Sequence, residues 1–184
     1  GRIRVWGSVA FLVIATAVGP VIDRFGPESI AWLLFATLLV AAAGCHLLPG
    51  DGGEGARTEP PRAPVRFLLA QPVVLVFLAA SALIQASHSV FYAYGSIHWA
   101  RVGLSQAEIG VLWSAGVTVE IALFWYAGPV TARFGPAWLL VAGGLAAVPR
   151  WGLTAIETSF WPLLALQFLH AATYGLTHLG SMHF

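Results

Sequence analysis

Long apolar runs, separated by short polar connections, dominate the pattern of this 184-residue sequence. A helix needs about 20 consecutive apolar residues to cross the hydrocarbon core of a bilayer, and six segments come close to that length or exceed it. We therefore predict spanning helices at residues 5–22, 30–48, 72–97, 107–127, 138–156 and 161–184. The pattern as a whole predicts an all-α, polytopic membrane protein.

Residues 49–66, PGDGGEGARTEPPRAPVR, interrupt this pattern with a stretch rich in proline, glycine and charge. Such a composition is typical of an aqueous linker, so the chain divides into a helix pair in residues 1–48 and a four-helix run in residues 67–184. Basic residues favour the cytoplasmic side of membrane proteins. If residue 1 is cytoplasmic, six arginines share its side and only Arg24 and Arg101 lie opposite. We therefore predict that the 49–66 loop is cytoplasmic.

The composition agrees with a membrane setting and excludes several classes of protein. Hydrophobic residues make up 58% of the chain and charged residues 9%, whereas soluble domains carry about 25% charged residues. A net charge of +1 without any lysine leaves no broad basic face for nucleic acid. The single cysteine, Cys45, excludes a disulfide framework and a cysteine metal site. Because both ends look cut, we expect an internal portion of a longer chain, whose other helices are its partners.

One nine-residue pattern occurs twice. GPVIDRFGP at residues 19–27 resembles GPVTARFGP at residues 128–136, and each copy follows a spanning segment. The predicted orientation puts the two copies on opposite sides of the membrane, as in an inverted repeat. Two independent Gly/Pro helix stops would give the same similarity, and the sequence leaves both interpretations open.

Polar and ionisable side chains inside the apolar segments are the candidate functional residues. A charge at a helix centre costs about 2.5–3.5 kcal/mol on insertion scales, so it normally faces a partner or a water-filled cavity. Glu120 in the fourth segment and Arg150 in the fifth lie at depths similar enough to predict a direct ion pair. Polar residues at helical spacing form one stripe on the third segment and another on the sixth. The stripes supply the candidates Gln85, His88 and Tyr92, and Gln167, His170 and Tyr174.

These residue types are suited to binding a solute and moving a proton. Glu120 and His170 can bind and release protons, whereas Arg150 stays charged and can pair with a substrate carboxylate. The tyrosine rings can offer an aromatic face to a substrate. The alternative for the same residues is a structural ion pair with histidines as interhelical hydrogen-bond partners.

The sequence also resembles a transporter family over nearly its whole length. The stretches GRIRVWGSVAF, FYAYGSIHWARVGLSQAEIGVLWSAGVTVEI, VPRWGL and LQFLHAATYGLTHLGSM are similar to the phenylpropionate permease branch of the major facilitator superfamily, which is related to the lactose permease-like proton symporters. The resemblance implies a twelve-helix fold in which the six segments are helices five to ten. It makes 49–66 the central cytoplasmic loop, and it implies a bacterial inner-membrane protein with no enzymatic activity and no cofactor.

Three candidates match ionisable positions of those symporters. Glu120 matches their eighth-helix carboxylate, Arg150 their ninth-helix arginine and His170 their tenth-helix histidine. Two positions depart from the pattern, because Thr173 stands where the symporters carry the proton-binding Glu, and Gln167 where they carry Lys. The lactose-type proton site is therefore absent, and Glu120 becomes the leading candidate for the proton carrier.

The leading functional prediction is a secondary active transporter that couples protons to a small organic solute, such as an aromatic carboxylate, by alternating access. An intramembrane metalloenzyme using His88, His170 and His178 is one alternative. Such sites usually need paired histidines one turn apart with a carboxylate, and no such motif occurs. A receptor or scaffold that binds a ligand without transporting it is the other alternative.

Overall fold

The computed structural model describes residues 2–47 and 65–184, and within these ranges all six predicted segments are helical and no strand is present. The all-α prediction is therefore confirmed. Most of the predicted 49–66 loop lies outside the described residues, and its last two residues begin a short helix. The helices are α1 (Arg2–Phe25), α2 (Ser29–Cys45), α3 (Val65–Leu69), α4 (Pro72–Arg101), α5 (Gln106–Trp125), α6 (Ala127–Ile156), α7 (Phe160–Gln167) and α8 (Thr177–His183), with a π-helical turn (Ala171–Leu176) between α7 and α8.

Three helices of the described part, α4, α5 and α6, are long and apolar enough to cross a membrane. Helix α2 is apolar but has only 17 residues, while α1 has 24. Large apolar side chains cover the outward faces, among them Leu83, Val148 and Trp161. A water-soluble surface does not normally carry apolar patches of this extent. The chain is a multi-pass membrane protein.

The fifth predicted segment is longer than its apolar pattern suggests. Helix α6 begins at Ala127 rather than at residue 138, but Gly135 interrupts it with φ 67° and ψ 163°. Glycine adopts this left-handed φ without steric cost, and Pro136 is suited to restarting a helix because its φ is already helical. Hydropathy marks only the apolar part after the break, since the first two turns carry Arg133 and other polar groups.

The sixth predicted segment is helical but not regular. After α7 the backbone tightens, with the amides of Phe168 and Leu169 donating to carbonyls three residues back. It then widens into the π-helical turn before α8 begins. Irregular turns of this kind often occur at functional sites, and this one follows His170 directly.

Two close packings hold the helices together. Helix α1 crosses α5 where Gly19 faces the backbone of Gln106 and Gly110 faces the carbonyl of Ala15. Helix α6 packs against the π turn and α8, with Gly143 against Thr177. Helix α2, by contrast, contacts only α1 among the described elements. The densely packed part of the chain is therefore α1 together with α4 to α8.

Candidate functional site: a cavity with a buried arginine

A cavity of about 840 Å³ lies between α1 and the helices α4 to α7. The side of α1 is apolar and includes Phe11, Ile14 and Val18. The polar groups lie on the opposite wall, which combines residues of α4, α5, α6, α7 and the π turn. That wall includes Tyr92, Ser96, Trp113, Glu120, Arg150, Gln167, His170 and Tyr174.

Arg150 is the centre of the polar wall, with only 1% of its surface exposed. Its Nη1 donates to Thr173 Oγ1 at 2.7 Å and to His170 Nδ1 at 3.1 Å, and His88 Nε2 lies 3.4 Å away. Its Nη2 donates to Gln167 Oε1 at 3.2 Å. All four partners are neutral acceptors in these contacts, so none of them offsets the arginine charge directly.

The hydrogen bonds determine the tautomers of the two histidines, since a guanidinium can only donate. His170 Nδ1 accepts from Arg150, so its proton is on Nε2. His88 Nδ1 lies 2.9 Å from the carbonyl of Ile84 and must donate to it, which leaves Nε2 as an acceptor. Nη1 of Arg150 has two hydrogens, which it donates to its two nearest acceptors, Thr173 Oγ1 and His170 Nδ1. The Thr173 hydroxyl lies 3.2 Å from His88 Nε2 and can donate its own hydrogen to that nitrogen. The network is then closed with both histidines neutral.

Glu120 joins this network through His170 rather than through Arg150. His170 Nε2 lies 3.3 Å from Glu120 Oε2 and, with its proton on Nε2, donates to it. The sequence predicted a direct pair between Glu120 and Arg150, and that contact is wrong, because the imidazole lies between the two charges. The result is a relay from guanidinium to imidazole to carboxylate, and both charged groups line the cavity.

One polar atom of Arg150 stays unused. Its Nε is buried without a hydrogen-bond partner among the described residues. The guanidinium carbon lies 4.4 Å from the ring centroid of Trp151 and 5.2 Å from that of Phe91, within the range of cation–π attraction. Aromatic faces therefore hold the group in place, and Trp151 is itself held by a 3.0 Å hydrogen bond to Ser87. An unpaired buried donor costs free energy, so this guanidinium is not fully satisfied by the described residues.

One stretch of chain, from α7 through the π turn into α8, contributes many of these contacts. Gln167, His170, Thr173 and Thr177 are all buried, and their spacing of three and four residues places them on one side of a helix. Thr177 Oγ1 donates to the carbonyl of Thr173 at 2.7 Å.

The structure brings together seven of the eight candidates. Arg150, His170, His88 and Gln167 are in direct contact, and Glu120 joins through His170. Tyr174 stacks on His170 at 5.3 Å, and Tyr92 lines the cavity although it is 47% exposed. Gln85 is different, because it is exposed and does not line this cavity. Its spacing fits the stripe, but the buried face of α4 runs through His88, Phe91, Gly95 and Trp99, and Gln85, three residues before His88, lies about 60° from it around the helix.

Thr173 is a site residue that the sequence patterns do not single out. The resemblance marks it only as a departure from the symporter pattern, yet it makes the shortest contact to Arg150 and is fully buried. Its spacing from Gln167 and His170 is the signal that could have found it. In residues 2–47 and 65–184, no group of three or more His, Cys, Asp or Glu side chains could hold a metal ion.

Comparison with known proteins gives three similar transporters. A protein named as a probable 3-phenylpropionic acid transporter of Escherichia coli (strain K12) is 29% identical over 185 residues, covering 100% of this chain and 49% of that protein. A maltose permease of Geobacillus stearothermophilus is 28% identical and an uncharacterised transporter of Bacillus subtilis (strain 168) is 27% identical, each match covering 96% of this chain and 44% of the relative. No solved structure gives a significant match.

The chain thus spans about half the length of these relatives, all of which are named as transporters or permeases. The model of the family described as MFS_1 like matches residues 1–184. The match runs through α1, the cavity and the helices that carry Arg150, His170 and Glu120. The chain belongs to the MFS_1 like family.

Proposed function

We propose that the full-length protein containing this chain is a proton-coupled symporter of a small aromatic carboxylate, and that the cavity beside Arg150 is part of its substrate site. The observation that carries this proposal is the buried guanidinium whose hydrogen-bond partners are all neutral and whose Nε has none among the described residues. A carboxylate is the natural partner of such a group. The name of the Escherichia coli relative, a probable 3-phenylpropionic acid transporter, points to the same chemistry.

The two walls of the cavity favour an amphipathic substrate. An aromatic ring is suited to the apolar wall of α1, formed by Phe11, Ile14 and Val18, and to the exposed face of Tyr92. A carboxylate on the same molecule would face Arg150. Sugars need many hydrogen-bonding groups along their length, and the α1 wall offers few. We therefore expect the chain to bind 3-phenylpropionate in preference to maltose.

Charge balance provides the coupling to protons. Without substrate, the negative charge nearest to Arg150 in this network is that of Glu120, and the His170 ring lies between the two groups. A bound carboxylate adds a second negative charge beside Glu120, and like charges repel more strongly in a partly buried cavity than in bulk water. A proton on Glu120 removes this repulsion. Anion and proton therefore bind cooperatively, and apparent affinity for the anion falls as the proton concentration falls.

The proposed transport cycle needs parts that this chain does not contain. In the twelve-helix arrangement, residues 1–48 end one half, the 49–66 loop joins the halves in the cytoplasm and residues 67–184 begin the other half. Helix α1 and helices α4 to α8 would then form opposite walls of an alternating-access site. We expect no uptake by proteoliposomes that contain these 184 residues alone.

The test uses the full-length protein in proteoliposomes with an imposed proton gradient. Glu120→Gln is expected to abolish uphill uptake of labelled 3-phenylpropionate while sparing counterflow, since the amide cannot carry a proton. Glu28→Gln is the matched control, because Glu28 is exposed and makes no side-chain cap hydrogen bond. Normal gradient-driven accumulation by Glu120→Gln would reject the coupling. Binding without counterflow in the parent protein would instead indicate a receptor.

A further inference from the structure

The carboxylate of Asp23 reaches from the end of α1 to the beginning of α5. Its Oδ1 accepts from the amide of Gln106 at 3.1 Å, and its Oδ2 accepts from the amide of Ala107 at 2.9 Å. These are the first two residues of α5. The N-terminus of a helix is electropositive and has amides without helical partners, so a carboxylate from another helix is well placed there.

Helix α5 can satisfy only part of its own N-terminus. Ser105 and Glu108 form a capping box, in which the Ser105 side chain accepts from the Glu108 amide and Glu108 accepts from the Ser105 amide. The amides of Gln106 and Ala107 are left over, and they are the two that Asp23 takes. Since Asp23 is exposed, water can replace it if α1 moves away. The contact is therefore one that can break and re-form.

The same two helices touch along a continuous seam below Asp23. Gly19 faces the backbone of Gln106, and Gly110 faces the carbonyl of Ala15, at separations where an added Cβ would collide. One turn further, the hydroxyls of Thr16 and Ser114 lie 2.7 Å apart. Ala15, Gly19, Gln106 and Gly110 also line the cavity. The seam and the Asp23 contact therefore border the cavity at the end where α1 stops and α5 begins.

We propose that Asp23 is the latch of a gate between α1 and α5, which must open for substrate to enter or leave the cavity at this end. By the orientation predicted from the arginines, this end faces the outside. The inference rests on the proposed alternating access, in which the cavity opens to each side in turn. It adds a residue, Asp23, that lies outside the polar network of Arg150.

The first experiment measures opening without measuring transport. Val117 lines the cavity, so a Val117→Cys variant of the full-length protein, from which Cys45 and every other native cysteine have been removed, is labelled with a membrane-impermeant maleimide in right-side-out vesicles. Asp23→Ala is expected to increase the labelling rate, and Asp23→Asn, which keeps one acceptor oxygen, is expected to have a smaller effect. The control is Glu157→Gln, a carboxylate-to-amide change away from the seam. Asp23→Ala labelling no faster than this control would overturn the latch.

The second experiment locks the seam reversibly. Thr16→Cys with Ser114→Cys replaces the two hydroxyls that touch and allows a disulfide between α1 and α5. The oxidised protein is expected to take up no 3-phenylpropionate and to resist labelling at Val117→Cys. Reduction is expected to restore uptake and labelling, and this recovery shows that the variant is folded. If the oxidised protein takes up the substrate as fast as the reduced protein does, the gate is overturned. If the parent shows no uptake at all, the proposed function fails, while the labelling comparison still decides the latch.

Discussion

The two copies of the repeated nine-residue pattern have the same backbone but different surroundings. Residues 19–27 and 128–136 are each helical up to a glycine with positive φ, Gly26 at 81° and Gly135 at 67°, and a proline follows in each. In the first copy Gly19 packs against the backbone of α5, whereas at Gly128 no described atom lies within 4 Å of an added Cβ.

One residue that differs between the copies adds to the difference in contacts. Asp23 of the first copy caps α5, while Ala132 stands at the same place in the second copy and is exposed. The shared Gly and Pro positions therefore interrupt the helix in both copies, but α1 ends there whereas α6 continues to Ile156. The comparison teaches that the pattern encodes a helix break, and that the contact from Asp23 to α5 is an addition to it.

The largest difference is expected between Gly19→Ala and Gly128→Ala. The added methyl at Gly19 collides with the Gln106 backbone, and overpacking of this kind costs about 1–3 kcal/mol. At Gly128 the methyl meets open space, and alanine favours the helix by up to about 1 kcal/mol. Thermal unfolding of the two full-length variants in detergent measures the difference. Equal melting temperatures would contradict the seam.

Gly26→Ala and Gly135→Ala are expected to have similar effects on stability. Both glycines have positive φ, a conformation that costs an L-residue about 1–2 kcal/mol. Thermal unfolding is again the measurement, and these variants sharpen the comparison because they probe the feature that the copies share. A large effect at only one of them would mean that the two helix ends are not equivalent.

A smaller difference is expected between Ser114→Ala and Thr131→Val. Ser114 bonds to Thr16 across the seam, and an intramolecular hydrogen bond contributes about 0.5–1.5 kcal/mol. Thr131, in the second copy, donates only to carbonyls of its own helix, and its loss should cost less. The melting temperatures of both variants and of the parent provide the test. If Thr131→Val lowers the melting temperature more than Ser114→Ala does, the second copy rather than the first is the one held by another helix.

The smallest effect is expected at Glu157, whose carboxylate accepts hydrogen bonds from the short connection between α6 and α7 in which it lies. The backbone amides of Ser159 and Thr158 donate to it and hold its pKa below the ordinary 4.5. A lowered pKa gives stability that is present above the ordinary value and is lost as the pH falls through the folded-state pKa. Glu157→Gln should therefore flatten the dependence of melting temperature on pH below about pH 5, without the change in labelling expected from Asp23→Ala.

Much of this architecture is predictable from hydropathy and the placement of charge. The apolar periodicity located all six helical segments, and the cost of a buried charge identified Glu120 and Arg150. The irregular turns after α7 could not be predicted, because they depend on how the helix packs against α4 and α6. Thr173 makes the shortest contact to Arg150, and no hydropathy pattern marks a threonine as the closest partner of an arginine.

The sequence by itself determined which segments are helices and which ionisable groups lie inside them, since these follow from local hydropathy and backbone preference. It did not determine every helix end, because α6 begins at Ala127 rather than at residue 138. Only the tertiary structure decided which groups meet. Helical spacing gives the face of a residue, but the rotation and offset between helices depend on packing across the whole bundle. That is why His170 separates Glu120 from Arg150, and why Asp23 caps a helix that begins 83 residues further along the chain.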